Sequence, residues 1–102
     1  MTHIFDQIAA ERKRQDEKWG EQNHTMLGDF FDAEAILEKC KLYKAVNDSG
    51  EDPCWFPILL EEVYEAFAET DPVRQREEMV QVAAVAVQII EALDRQIDGG
   101  KR

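Results

Sequence analysis

The sequence predicts an all-α chain, and three observations carry that expectation. Apolar residues recur at helical spacing in four separate stretches. Clusters of turn-forming residues stand between those stretches. No stretch shows the β-branched alternation of a strand bounded by turns. Val82–Val87 is rich in valine, but it continues a periodic run without a breaker, so helix is the expected state there.

The first helix is expected over residues 3–18. Ile4, Phe5, Ile8 and Ala9 fall at helical spacing, a charged stretch follows, and Trp19-Gly20 supplies the stop. Residues 21–28 form a polar loop. Asp29 or Asp32 can cap a second helix running to about Val46, with Phe30, Phe31, Ala35, Ile36, Leu37, Cys40, Leu42 and Tyr43 as its apolar positions. Asn47-Asp48-Ser49-Gly50 then breaks the chain. The third helix is expected from about Pro57, where proline suits a first turn, to Glu69. Asp71 is the expected N-cap of the fourth and longest helix, with Pro72 at its first position and its end near Ile97; residues 97–102 read as a frayed tail. Such short connections imply antiparallel neighbours, hence a bundle of about four helices in a single domain, 1–102.

A chain of 102 residues buries only about two-thirds of the surface that its unfolded form exposes. A partner subunit would add what is missing, so oligomerisation is expected to complete the bundle. The net charge of −10 repels nucleic-acid backbones and anionic membranes, which are bound by basic patches; the one mild basic cluster is Arg12-Lys13-Arg14. An acidic protein can still bind a phosphorylated small molecule through an intervening divalent cation. Cys40 and Cys54, with no signal peptide ahead of them, read as free thiols in a reducing compartment. The longest unbroken apolar run, Val82–Val87, falls far short of the ~20 residues that span a bilayer. A cytoplasmic protein is expected.

The carboxylates carry the functional signal. On a helical wheel of the third helix, Leu59, Leu60, Val63, Tyr64, Ala66 and Phe67 cover a broad apolar arc. Glu61, Glu62, Glu65 and Glu69 fill the narrow remainder, which by itself reads as a solvated stripe. On the fourth helix Glu77, Gln81, Gln88 and Glu91 share one polar stripe, whereas Glu78 projects beside Val85, Ile89 and Val82. The fourth helix is apolar nearly all round, which calls for burial on most sides. An isolated carboxylate on an apolar face needs a cation or a proton. Two readings of Glu78 stand. It tips outward near the helix N-terminus, aided by the dipole, or it shares a divalent ion with Glu62 and Glu65, for which Mg2+ is the natural choice. His3, His24, Cys40 and Cys54 lack the paired spacing of a zinc site.

These residues resemble the pattern of the all-α nucleotide pyrophosphohydrolase superfamily, the MazG and dimeric dUTPase group, in a form similar to small phage and actinobacterial members. The family's E-x-x-E is matched by Glu62 and Glu65 in Leu60-Glu61-Glu62-Val63-Tyr64-Glu65, with Glu61 as the frequent extra acid. Its E-x-x-D on the following helix is matched by Glu78 in Glu77-Glu78-Met79-Val80-Gln81, but the final acid is Gln81. The stretch Ala10-Glu11-Arg12 through Trp19-Gly20-Glu21-Gln22-Asn23-His24 is also similar to the segment ahead of the catalytic helices in small dCTP-hydrolysing and MazG-like members.

The resemblance implies a dimer, or two dimers paired, that converts a nucleoside triphosphate and water to the monophosphate and pyrophosphate. Mg2+, or Mn2+ in its place, would be held by Glu62, Glu65 and Glu78, with Gln81 as a weak ligand or water holder. Glu61 is then the expected water-activating acid. Lys41, Lys44 and Arg74 are candidates for meeting phosphate charge. Trp19 is a candidate for stacking on the base, and Asn23 or His24 for its edge. Against these stand plainer roles: Trp19 as a core or interface anchor, His24 as a loop residue, and Trp55, Phe56 and Tyr64 as core. Two other functions fit the same chain. One is a silent relative that binds nucleotides without cleaving them, which Gln81 favours. The other is a helical interaction module whose acidic surface mimics nucleic acid or meets a basic partner.

Overall fold

The computed structural model describes residues 3–100 and contains four helices: α1 (Ile4–Trp19), α2 (Ala33–Ser49), α3 (Trp55–Ala68) and α4 (Pro72–Gly100). Among the described residues there is no strand. The chain is therefore all-α, as the periodicity predicts.

Most of the boundaries have a local cause. The His3 side chain accepts a hydrogen bond from Phe5 N, and Gly20 ends α1 at φ 67°. Asp32, not Asp29, caps α2 through Glu34 N at 3.1 Å. The expected apolar pair Phe30 and Phe31 consequently falls in the turn before the helix. The two rings meet edge to face and are 91% and 64% exposed. At its other end α2 runs past Val46 to Ser49, because Asn47 and Asp48 tolerate a last helical turn that only Gly50, at φ 69° and ψ 6°, brings to an end. α3 starts two residues before Pro57, so the proline lies inside the first turn, where its missing N–H has no helical partner to lose. α4 starts at Pro72 as expected, capped by Asp71 through Val73 N at 3.4 Å. It continues through Asp98 and Gly99 to Gly100 and so overruns the expected frayed tail from residue 97; Lys101 and Arg102 lie outside the described residues.

The helices that pack are α2 on α3 and α3 on α4, each pair joined by a short connection. α3 is thus the middle layer, and it holds the two residues that are buried among those described, Pro57 and Ala66. Tyr43 of α2 stacks on Tyr64 of α3 at 5.7 Å between ring centroids and meets Phe56 edge-on at 6.1 Å. Tyr64 is half-buried, as expected of a core residue, whereas Trp55 and Phe56 are 39% and 67% exposed and are not core in the single chain. α1 lies lightly on the rest: its Phe5 and Ile8 border an open apolar groove against Val80, Ala83, Ala84 and Val87 of α4. The Cα radius of gyration is 16.3 Å, against about 13 Å for a compact domain of this length. No helix among the described residues is long and apolar enough to cross a membrane.

Candidate metal centre

The α3–α4 turn sets the register that builds the site. Glu69 Oε1 accepts from both Thr70 N and Asp71 N, at 3.0 and 3.1 Å, and Asp71 then caps α4. Gln75 Nε2 donates to the carbonyl of buried Ala66 at 3.0 Å, tying the first turn of α4 back to α3. From this turn Glu78 lies about 9 Å along α4, and Glu62 lies about the same distance back along α3, at 1.5 Å per residue. The two carboxylates therefore meet level with one another, with Glu65 one turn nearer the connection.

One carboxylate oxygen from each of Glu62, Glu65 and Glu78 lies within 4.8 Å of the other two. All three residues are half-buried. Glu62 Oε2 and Glu78 Oε2 are shut off from solvent and have no hydrogen-bond partner. Among the described residues, no ion pair reaches any of the three. Burial raises the pKa of Glu62, and the charges of Glu65, Glu78 and Glu61 add to that. Burial likewise raises Glu78, followed by the charges of Glu65, Glu69 and Glu77. Leaving a buried carboxylate oxygen unpaired is costly. Oxygens on opposite sides of a Mg2+ ion are about 4 Å apart, and of Ca2+ about 5 Å. The cluster thus fits a hard divalent cation in spacing, donor type and unmet valence.

The other residues named from the sequence fall in different places. Gln81 is exposed one turn beyond Glu78 on α4. Glu61 is half-buried beside the cluster, but its Oε1 is engaged by Asn47 of α2 at 2.7 Å. Lys41 and Lys44 form exposed pairs with Glu38 and Asp48 at 3.7 and 3.6 Å, and Arg74 pairs with Asp71 at 3.9 Å. Pairs of this kind are weak and readily exchanged. Trp19 is 57% exposed, with Lys18 Nζ 4.7 Å from its ring centroid. It lines a surface pocket with Arg12, Gln15, Asp16, Gly20, Glu21 and Gln22, all from the α1 end of the chain. Asn23 donates to Glu21 Oε2 at 3.0 Å, and His24 is exposed in the same loop. Within one chain, then, Glu62, Glu65 and Glu78 come together with Glu61 alongside. Trp19 stands in a separate pocket that no residue of α3 or α4 lines, and neither Asn23 nor His24 lines it.

Two neighbours of the site went unread in the sequence. Cys40 is half-buried, and its thiol is pushed up first by burial, then by the charges of Glu65 and Glu61, with Lys44 acting in the opposite direction and Glu62 adding a smaller push. Asn47 bonds Glu61. Cys40, Lys44 and Asn47 are spaced four and three residues apart on α2, a single face. That spacing is the signal which locates them, once α2 is known to extend beyond Val46. No family model, curated protein or solved structure gives a significant match to this chain.

Proposed function

We propose that this chain is a Mg2+-dependent nucleoside triphosphate pyrophosphohydrolase of the MazG-like kind, acting in the cytoplasm as a homodimer or a dimer of dimers. The observation that carries the reading is the pair of solvent-inaccessible, unpartnered oxygens of Glu62 and Glu78 within a three-carboxylate cluster between two helices. Glu62, Glu65 and Glu78 would hold the cation, with the Gln81 carbonyl as a neutral ligand or a hook for water. When bound, the cation neutralises triphosphate charge and polarises the α-phosphorus centre. Glu61 takes a proton from the attacking water. The water oxygen bonds to the α-phosphorus, the bond to the α,β-bridging oxygen breaks, and pyrophosphate leaves with the electron pair. Lys41, Lys44 and Arg74 sit in weak exposed pairs, from which phosphate oxygens can recruit them.

Subunit association is supported by area. The isolated chain exposes 8289 Å2, about 2,400 Å2 more than a compact protein of 11.8 kDa. That surplus is in the range that one partner contributes to an obligate interface. It also gives the Trp19 surface a route to the carboxylates, supplied across a subunit boundary.

The test is pyrophosphate release from a panel of ribo- and deoxyribonucleoside triphosphates with Mg2+. Turnover of at least one, abolished by chelation, is expected; no turnover on any of them rejects the hydrolase. Gln81 supports a second reading, the silent binder, since it removes one negative charge from the pattern. A nucleotide that raises the unfolding temperature without being cleaved would select it. An unfolding temperature indifferent to both Mg2+ and nucleotides would leave the acidic interaction module.

A further inference from the structure

Asn47 lies in the last turn of α2, and its side chain crosses to α3. Its Nδ2 donates to the Pro57 carbonyl at 3.0 Å and to Glu61 Oε1 at 2.7 Å, both part-buried. Both acceptors lack any hydrogen to give, so the amide nitrogen has to face them, and both of its hydrogens are used. A clip between two helices needs only the first bond. The second is made to a charged oxygen, the stronger kind. It grips a carboxylate that stands next to Glu62 in sequence and borders the cluster. We infer that Asn47 is a positioning residue of the hydrolytic site: by holding Glu61 through Oε1, it fixes the carboxylate and reserves Oε2 for the proton of the attacking water.

The inference deepens the pyrophosphohydrolase reading and rests on it. Two neighbouring residues set its logic. Pro57, with no N–H of its own, offers a carbonyl at the start of α3, so Asn47 is anchored by backbone and not by a mobile side chain. Glu61 follows one turn later on the same helix, so the one amide reaches both. The anchor gives the Glu61 contact its precision. Without the donor, the Glu61 side chain regains its rotamers beside a cluster of like charge. A reacting group misplaced by an ångström loses about a hundredfold in rate.

The experiment compares wild type, Asn47→Ala, Asn47→Asp and the double variant Asn47→Asp/Glu61→Gln with Mg2+ and whichever triphosphate the wild type cleaves. In both single variants kcat is expected to fall about a hundredfold, with KM and calorimetric Mn2+ affinity held within about threefold. Asn47→Asp is expected to be the worse, because it sets a second carboxylate against Glu61 Oε1. The double variant exchanges donor and acceptor between positions 47 and 61 but leaves the Pro57 carbonyl without its donor, so it is expected to regain part of the unfolding temperature that Asn47→Asp loses, but not kcat. Undiminished kcat in the single variants would overturn the role of Asn47. So would a joint loss of kcat, substrate affinity (a raised KM), Mn2+ affinity and unfolding temperature, single variants that are unfolded even in the cold, or a double variant that recovers turnover, since each assigns Asn47 to the fold alone. A wild type that cleaves no triphosphate removes the hydrolase itself and this role with it, an outcome distinct from all the others.

Discussion

Glu65 is the carboxylate whose charge bears on most of the others. It is a cause of the raised pKa of Glu62, of Glu78 and of Cys40. Glu65→Ala is expected to remove turnover, by more than the 10–100-fold (roughly) typical of losing a supporting residue round a metal, while circular dichroism and unfolding temperature stay at or above wild-type values. Stability holds because the deletion relieves repulsion in the metal-free cluster. A variant that keeps full turnover removes the assigned site. The same electrostatics fix a pH dependence. Glu62 and Glu78 have folded pKa values raised above the ordinary carboxylate value of 4.5. Their contribution to stability is therefore fully present below that value and is lost as pH rises through the raised values. Metal-free protein should accordingly unfold at a lower temperature at neutral pH than at mildly acidic pH, as far as these two groups decide it. Adding Mg2+ or Mn2+ should reverse the trend, since the cation binds the ionised form. A calorimetric series across that window with chelator and then with Mn2+ checks both signs. Cys40 offers an independent reporter. Iodoacetamide should modify it more slowly than exposed Cys54, because burial first and then neighbouring charge hold its pKa up; Mn2+ should quicken the reaction at Cys40 by offsetting the part that Glu65 and Glu62 supply.

At the scale of elements, the turn from Glu69 to Asp71 is what brings Glu78 of α4 level with the acidic stripe of α3. Asp71→Ala removes the cap of α4 and should lower stability by about 1 kcal/mol, the usual worth of an N-cap. Because the cap also fixes the level of Glu78 against Glu62, Mn2+ affinity should fall with it; thermal unfolding with and without Mn2+ reads both. The Asp71-Pro72 start was legible in the sequence because both residues act locally, one by its side chain and one by its fixed φ. The convergence of Glu62, Glu65 and Glu78 was only half legible: helical phase set Glu78 on the apolar side but left it between tipping outward and sharing an ion, and the family resemblance pointed to the second. The end of α2 was not legible. Asn47-Asp48-Ser49-Gly50 has the composition of a turn, yet Asn47 is held in the helix by what it touches on α3, a contact ten and fourteen residues away that no local pattern encodes. The exposed Phe30 and Phe31 were misplaced for a related reason: their apolar character suggested a helical face, whereas the cap that decides the start is Asp32. Where Trp19 stands relative to the carboxylates was hidden as well, since they do not share a pocket in one chain.

For the whole molecule, the apolar surface is what remains to be explained. Val80 is 57% exposed, and with Phe5, Ile8, Ala83, Ala84 and Val87 it lines a groove along the middle of α4. Leu93 and Ile97, farther along the same helix, are 49% and 55% exposed. α4 has a solvated stripe in Glu77, Gln81, Gln88 and Glu91, and its exposed apolar residues lie outside that stripe, uncovered in an acidic chain. A second copy covering it would bury this groove and bring a second α1 to the bundle. Sedimentation should therefore give a dimer or a larger even assembly at micromolar concentration, with an unfolding temperature that rises with protein concentration. The decisive variant is Val80→Glu. If Val80 faced water, the change would alter stability by no more than about 0.5 kcal/mol, the usual effect at a surface position. Under a subunit it places an unpaired carboxylate in an apolar seam, so the assembly should fall to monomers and the unfolding temperature should drop well beyond that margin. Glu62, Glu65 and Glu78 remain on the same chain, so a monomeric variant that still binds Mn2+ but no longer binds nucleotide would locate the metal within one subunit and the base pocket between two. A monomeric wild type, or a Val80→Glu protein that assembles and unfolds as the wild type does, would leave this face without a partner.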